Sequence, residues 1–285
     1  MPSPRAPVPD TLRLVLDAGP ARDALTAELA DLGFDAFEDD GDSLVAYAPA
    51  SRWDAATREA VAGLAATLGA RQVAHETIAD RDWNAQWEAS IRPIEAGPFV
   101  VAPSWTDVPP GLGGRTVLRI DPKMAFGTGH HETTRLVLRL LSSTVLPGDR
   151  VLDVGTGTGI LAIAALRLGA RSALGVDVDP WSVTNGHANA VLNGVADDFE
   201  VREGSLDVVP ETGFDVVVAN IIRSILEPLL PGLAERAAPK ARVVLSGLLG
   251  SEREHVVGVM RGLGMALTAE GSENEWWGGV FARGA

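Results

Sequence analysis

From residue 130 onward the chain alternates between helical and strand periodicity, and no other feature narrows its possible folds as much. The pattern predicts helices at 131–142, 159–168, 181–193, 223–237 and 251–262, and strands at 151–155, 173–178, 199–203, 215–220 and 241–247. Helices interleaved with short apolar strands specify a doubly wound, mostly parallel, Rossmann-like α/β sheet covered on both faces. The tail departs from this rhythm, and 264–270 with 276–282 read as a C-terminal antiparallel hairpin.

The first eighty residues follow a different order. Residues 11–18 alternate as a strand, and 21–32 carry Leu25, Leu29 and Leu32 at helical spacing before Gly33. A hairpin at 36–39 and 43–49, a helix at 52–68 ending at Gly69 and a strand at 71–78 complete a βαββαβ order, which suggests a small ferredoxin-like α+β domain. Residues 80–97 read as a connector with Trp83 and Trp87 one helical turn apart, and 99–105 with 116–120 read as a hairpin leading into the larger domain. The expected organisation is a small domain over 1–79, a connector over 80–97 and an α/β domain over 98–285.

The residues that carry chemistry lie at strand ends of the larger domain. VLDVGTGTG (151–159) is a strand running through Gly155, Gly157 and Gly159 into a helix. Glycines there allow a tight turn and close approach of a ligand, and a helix N-terminus presents free N–H groups. A dinucleotide site requires G-x-G-x-x-G, but Ile160 stands where its third glycine belongs. Asp177 closes the second strand 22 positions after Gly155, placed to accept hydrogen bonds from the hydroxyls of a ribose, whereas Asp179 before Pro180 reads as a helix N-cap. Asn220 ends the fourth strand at the carboxyl edge of the sheet. It is followed by Ile221, Ile222 and Arg223, not by the prolines and aromatic ring that suit a flat acceptor, so an aliphatic amine fits better.

Composition removes several classes of function. Without cysteine there is no disulfide, thiolate nucleophile or cysteine zinc site, and no run of about 18 apolar residues points to a membrane span. With no leader-like N-terminus either, the expected location is the cytoplasm. A net charge of −14 disfavours a phosphate-backbone ligand and suits a basic partner. The imbalance is strongest in residues 1–80, with 6 basic against 14 acidic residues, compared with 18 against 24 in the remainder. His130, His131 and Glu132 are adjacent at a helix start and point in different directions, so no metal is expected there.

The segments DWNAQW (82–87), DPKMAFGTGHHETT (121–134), DVGTGTGILAIAALRLGA (153–170), DVDPWSVTNGHANAVLNGV (177–195), VVVANI (216–221) and LSGLL (245–249) together resemble the PrmA family of ribosomal protein methyltransferases. The resemblance implies S-adenosylmethionine as cofactor and methyl transfer to lysine or N-terminal amines of a basic large-subunit ribosomal protein, with the small domain recognising that protein. It implies that Thr134, Gly155, Asp177 and Asn220 contact the cofactor or the incoming amine, that Gly157 and Gly159 belong to the same cradle, and that Phe126, Gly127 and Thr128 fold over the cofactor. Asn220 is the expected catalytic residue, aiming the amine lone pair. The family's usual wording is close to AFGTGTHPTT, so His130 and Glu132 depart from it and receive no role. The alternatives are methylation of another protein, an RNA or a small molecule, or a non-catalytic assembly factor that binds S-adenosylmethionine.

Overall fold

A computed structural model describes residues 10–40, 43–78, 91–112, 114–122 and 125–283. The expected positions of Trp83 and Trp87 lie outside the described residues. The chain divides into two compact units, 1–90 and 91–285.

The first unit is a four-stranded antiparallel sheet backed by two helices. Strand β1 (Thr11–Asp17) buries Leu12, Leu14 and Leu16 on one face, as period-two alternation requires. Helix α1 (Arg22–Asp31) leads to β2 (Ala36–Asp40) and β3 (Ser43–Pro49). Helix α2 (Ala55–Leu68) starts at Asp54, which accepts from the Thr57 N–H, and stops at Gly69 in the left-handed region. Strand β4 (Arg71–Ile78) pairs with β1, giving the order β2-β3-β1-β4. Leu25, Leu29, Val61 and Ala65 of the helices close over the leucines of β1.

The second unit opens with a three-stranded sheet that corrects the sequence reading. Strands β6 (Phe99–Ala102) and β7 (Thr116–Arg119) run parallel, so 99–105 and 116–120 are not a hairpin. The intervening loop, rich in proline and glycine, is long enough to bring the chain back to the start of the sheet. The hairpin is instead formed by β5 (Ile94–Ala96) with β6, through Gly97 and Pro98. Residues 94–97, expected in the connector, therefore supply an edge strand and its turn.

Helix α3 (Glu132–Thr144) precedes the main sheet, whose strands are β8 (Arg150–Val154), β9 (Ser172–Asp177), β10 (Phe199–Glu203), β11 (Phe214–Asn220), β12 (Ala237–Leu249), β13 (Met265–Glu273) and β14 (Trp276–Arg283). Helices α4 (Ile160–Arg167) and α5 (Pro180–Leu192) follow β8 and β9, and α8 (Arg253–Gly262) follows β12. The predicted helix over 223–237 is broken into α6 (Arg223–Leu226), a 3-10 turn and α7 (Leu230–Arg236), because Pro228 and Pro231 supply no N–H to the helical ladder.

The strand order is β10-β9-β8-β11-β12-β14-β13. All are parallel except β14, which runs antiparallel between β12 and β13. Apolar residues of α3 and α4 pack on one face of the sheet, and those of α7 and α8 on the other. Consecutive strands leave β8 first toward β9 and then, by way of β11, toward the opposite side. This switch point opens a crevice at the carboxyl ends of β8, β9 and β11, where ligands of open α/β sheets bind. Among the described residues no helix is long and apolar enough to cross a membrane.

Candidate functional site

The glycine turn sits in that crevice. Gly155, Gly157 and Gly159 all have positive φ (72°, 54° and 79°), a region that side chains rarely enter. At Gly157 a second constraint applies, since a Cβ there would lie 2.3 Å from the Phe126 carbonyl oxygen. The glycine thus admits another loop of the protein. Thr158 donates its N–H to that same Phe126 oxygen at 2.9 Å and its hydroxyl to the Gly127 oxygen at 2.7 Å, so residues 126–128 are fastened over the turn.

The turn itself, as distinct from the helix start that follows it, offers no free N–H groups over residues 155–159. Gly155 and Thr156 donate to the Val176 oxygen, Gly157 to Asp177, Thr158 to Phe126 and Gly159 to Thr156. A turn whose donors are all engaged provides shape and not an anion hole, which fits a nucleoside ligand without phosphate and disfavours a dinucleotide.

The carboxylates divide their roles. Asp153 is completely buried; its Oδ2 accepts from the Thr156 hydroxyl at 2.7 Å and the Ala162 N–H at 3.2 Å, while Oδ1 meets no donor among the described residues. Burial pushes its carboxyl up to about 7. Asp177 accepts from Gly157 N–H at 2.8 Å and Asp179 N–H at 3.0 Å, one on each oxygen, leaving lone pairs on both. Asp179 caps α5, accepting from Trp181 and Ser182.

Two asparagines on one face of α5 and a third at its C-terminal cap support the approach to residues 126–128. Asn193 bonds both backbone groups of Arg119, Asn189 accepts from Asp121 N–H, and Asn185 donates to the Pro122 oxygen. Asn189 also donates to the Thr158 oxygen at 2.9 Å, joining this segment to the glycine turn.

Beside the turn lies an open pocket of about 250 Å³ lined by Phe126, His131, Thr133, Asn220, Ile222, Gly247 and Trp276. The Asn220 Oδ1 is buried and has no partner among the described residues. His131 caps α3: its Nδ1 accepts from the Thr133 N–H, so in the neutral ring the proton is on Nε2. Its ring centroid lies 5.5 Å from Phe126 and 5.0 Å from Trp276, forming a wall of three rings. Gly247 is at φ 82°, and a Cβ there would lie 2.6 Å from the Ile221 backbone, so no larger residue permits β12 to pass so close to the end of β11.

Residues 26–283 match the family described as Ribosomal protein L11 methyltransferase (PrmA). The chain belongs to that family. A ribosomal protein L11 methyltransferase of Thermus thermophilus is 44% identical over 202 residues, covering 70% of this chain and 77% of the relative. One from Chlorobaculum tepidum is 36% identical over 259 residues, covering 88% of each. Among solved structures, a ribosomal protein L11 methylase from Lactobacillus delbrueckii subsp. bulgaricus matches with a TM-score of 0.64 and 31% identity, covering 68% of this chain and all of the other.

For this PrmA-family chain, the structure brings Phe126 and Asn220 to one pocket and ties Gly127, Gly157 and Asp177 to one turn. Thr128 hydrogen-bonds the His130 N–H. Thr134 is buried in the first turn of α3 with its hydroxyl unpartnered among the described residues, one position after the Thr133 that lines the pocket. Sequence reading missed Thr133, His131, Ile222, Gly247 and Trp276. All but Ile222 and Trp276 lie in segments that carry the family resemblance, so their signal was present without a role; Trp276 comes to the pocket from a strand 145 positions away from His131.

Proposed function

We propose that this chain transfers methyl groups from S-adenosylmethionine to amines of the large-subunit ribosomal protein L11, the protein named for its relatives. The observation that carries this reading is the buried, unpartnered Asn220 Oδ1 at a pocket walled by three rings beside a turn with no free anion-binding donors. The residues fit the cofactor: Asp177 retains lone pairs for ribose hydroxyls, and Gly155, Gly157 and Gly159 with Phe126, Gly127 and Thr128 supply the cradle. Thr134 contributes an unsatisfied buried hydroxyl.

When bound, S-adenosylmethionine supplies an electrophilic methyl group on a sulfonium sulfur. What the protein does is position the acceptor. A lysine ammonium, with a reference pKa of about 10.4, or an α-ammonium at about 7.7–8.0, has no lone pair until it loses a proton. Desolvation on entering the pocket and the neighbouring positive charge of the bound cofactor would both disfavour the charged form, so the proton leaves to water as the amine enters. Asn220 Oδ1 then accepts one N–H of the neutral amine and directs its lone pair, which is catalysis by orientation.

The first unit, read as a ferredoxin-like domain, is the recognition element: its acidic excess suits a basic ribosomal protein, and the chemistry lies wholly in the second unit. This reading keeps a small first domain ending near 79, starts the second at 91 because β5 belongs to its first sheet, and places the enzyme in the cytoplasm without direct contact to nucleic acid. The test is incubation with methyl-labelled S-adenosylmethionine and purified L11, followed by mass-spectrometric mapping. Label on lysine or N-terminal amines is expected; transfer only to RNA or to small molecules would overturn the assignment.

A further inference from the structure

The two positions at which AFGTGHHETT departs from the usual family wording, His130 and Glu132, both make contacts that the sequence did not suggest. His130 Nε2 lies 3.1 Å from the Arg92 carbonyl oxygen. Glu132, the first residue of α3, accepts from the Asn274 side-chain amide at 3.2 Å and lies 3.7 Å from the Arg135 guanidinium. Arg135 in turn donates through Nε to Glu273 at 2.8 Å and also bonds the His130 carbonyl, and Arg139 reaches the same Glu273. The first two turns of α3 thus hold Glu273, the last residue of β13, and Asn274, which opens the turn into β14. Asn274 is the only non-glycine residue with positive φ among those described (53°), and Trp276 follows two residues later.

The turn therefore places the Trp276 ring against His131. The hairpin otherwise meets α3 by apolar packing, as where Leu136 lies 2.9 Å from the site a Cβ on Gly271 would occupy. Apolar contact holds the hairpin on the helix, the Arg135 and Arg139 bonds anchor the end of β13 at Glu273, and the directional Glu132–Asn274 bond fixes the turn that leads from there to Trp276. Glu132 and Asn274 do not line the pocket.

We propose that Glu132 and Asn274 form a latch that sets Trp276 in the acceptor pocket, making both of them positioning residues for the incoming amine. The inference rests on the acceptor reading of that pocket. It follows that the latch governs how the amine is held and leaves the cofactor cradle alone.

The test uses the full chain. Proline is well tolerated at the first position of a helix, so Glu132→Pro removes the carboxylate while preserving the start of α3. Asn274→Gly removes the amide while keeping a residue at ease with positive φ. Each should raise the KM for L11 about fivefold, with kcat and S-adenosylmethionine affinity within about twofold of the unaltered enzyme, as expected for loss of one hydrogen bond. The double variant should also stand near fivefold and not near twenty-fivefold, because the two residues act through one bond. Glu132→Gln, which still presents an oxygen to Asn274, should restore the original KM. Additive effects, an equal loss of cofactor affinity or an unchanged KM would each overturn the latch. A second readout needs no acceptor: the fluorescence of Trp276, isolated by subtracting the spectrum of Trp276→Phe, should shift in Glu132→Pro and not in Glu132→Gln. If the unaltered enzyme methylates no L11, the functional assignment fails, and the latch stands or falls on that spectrum.

Discussion

Gly157 donates its backbone N–H to Asp177 Oδ2 at 2.8 Å, so the glycine turn after β8 is tied to the carboxylate that ends β9. Loop shape and the orientation of that carboxylate are therefore coupled by a hydrogen bond across neighbouring strands. Asp177→Ala is expected to weaken S-adenosylmethionine binding by about 1.5–3 kcal/mol, the range for a hydrogen bond to a charged group. Calorimetric titration measures it; unchanged affinity in a folded variant would place the ribose elsewhere.

Asn220→Ala should reduce turnover roughly ten- to a hundredfold while leaving most cofactor affinity, since an aiming hydrogen bond matters in the transition state. Single-turnover rates at saturating cofactor decide between this role and that of a cofactor contact, which would lower binding first.

Gly157→Ala should displace residues 126–128, because its Cβ would lie 2.3 Å from the Phe126 oxygen and its φ of 54° is unfavourable for alanine by about 1–2 kcal/mol. Chemical denaturation should show a loss larger than that backbone cost alone. Cofactor affinity should fall as well, and a variant that keeps both would show that the loop yields without consequence.

The buried Asp153 gives stability a pH dependence. Its carboxyl is raised from 3.8 to about 7, chiefly by burial, with the nearby Asp177 charge acting in the same direction. A raised acid is favoured in its neutral form by the folded state, so this contribution is full below the unfolded pKa and is lost as pH rises through about 7. Asp153→Asn should abolish that loss, gaining on the unaltered protein progressively between about pH 4 and 7 by up to about 4 kcal/mol. Denaturation midpoints across pH 4–8 check it, and parallel curves for the two proteins would refute the shift.

Removing residues 1–90 should leave a domain that binds S-adenosylmethionine near normally and methylates L11 at least about tenfold more weakly, as a separate recognition element implies. Full methylation by the truncated chain would dismiss recognition by the first unit, and loss of cofactor affinity would assign that unit a stabilising role.

The elements that sequence alone determined are those governed by local physics. Period-two alternation in 11–17, the apolar strands of the large domain, the N-cap at Asp179 and the helix stop at Gly69 each depend on neighbours within a few residues, and each stands where the pattern placed it. Asp177 could be separated from Asp179 by the same reasoning, because capping geometry is local.

What only the tertiary structure decided involves partners distant in the chain. Strand periodicity is identical for parallel and antiparallel neighbours, so β6 and β7 could be read as a hairpin until their pairing was seen. The N–H groups of residues 155–158 find their acceptors in Val176, Asp177 and Phe126, which no local rule supplies. Trp276 enters the pocket because β14 inserts between β12 and β13 and carries its first residue to His131, over a separation of 145 positions. Local propensity determines which segments become strands and helices; the burial of two sheet faces at once determines which of their ends meet, and the site is made where those ends meet.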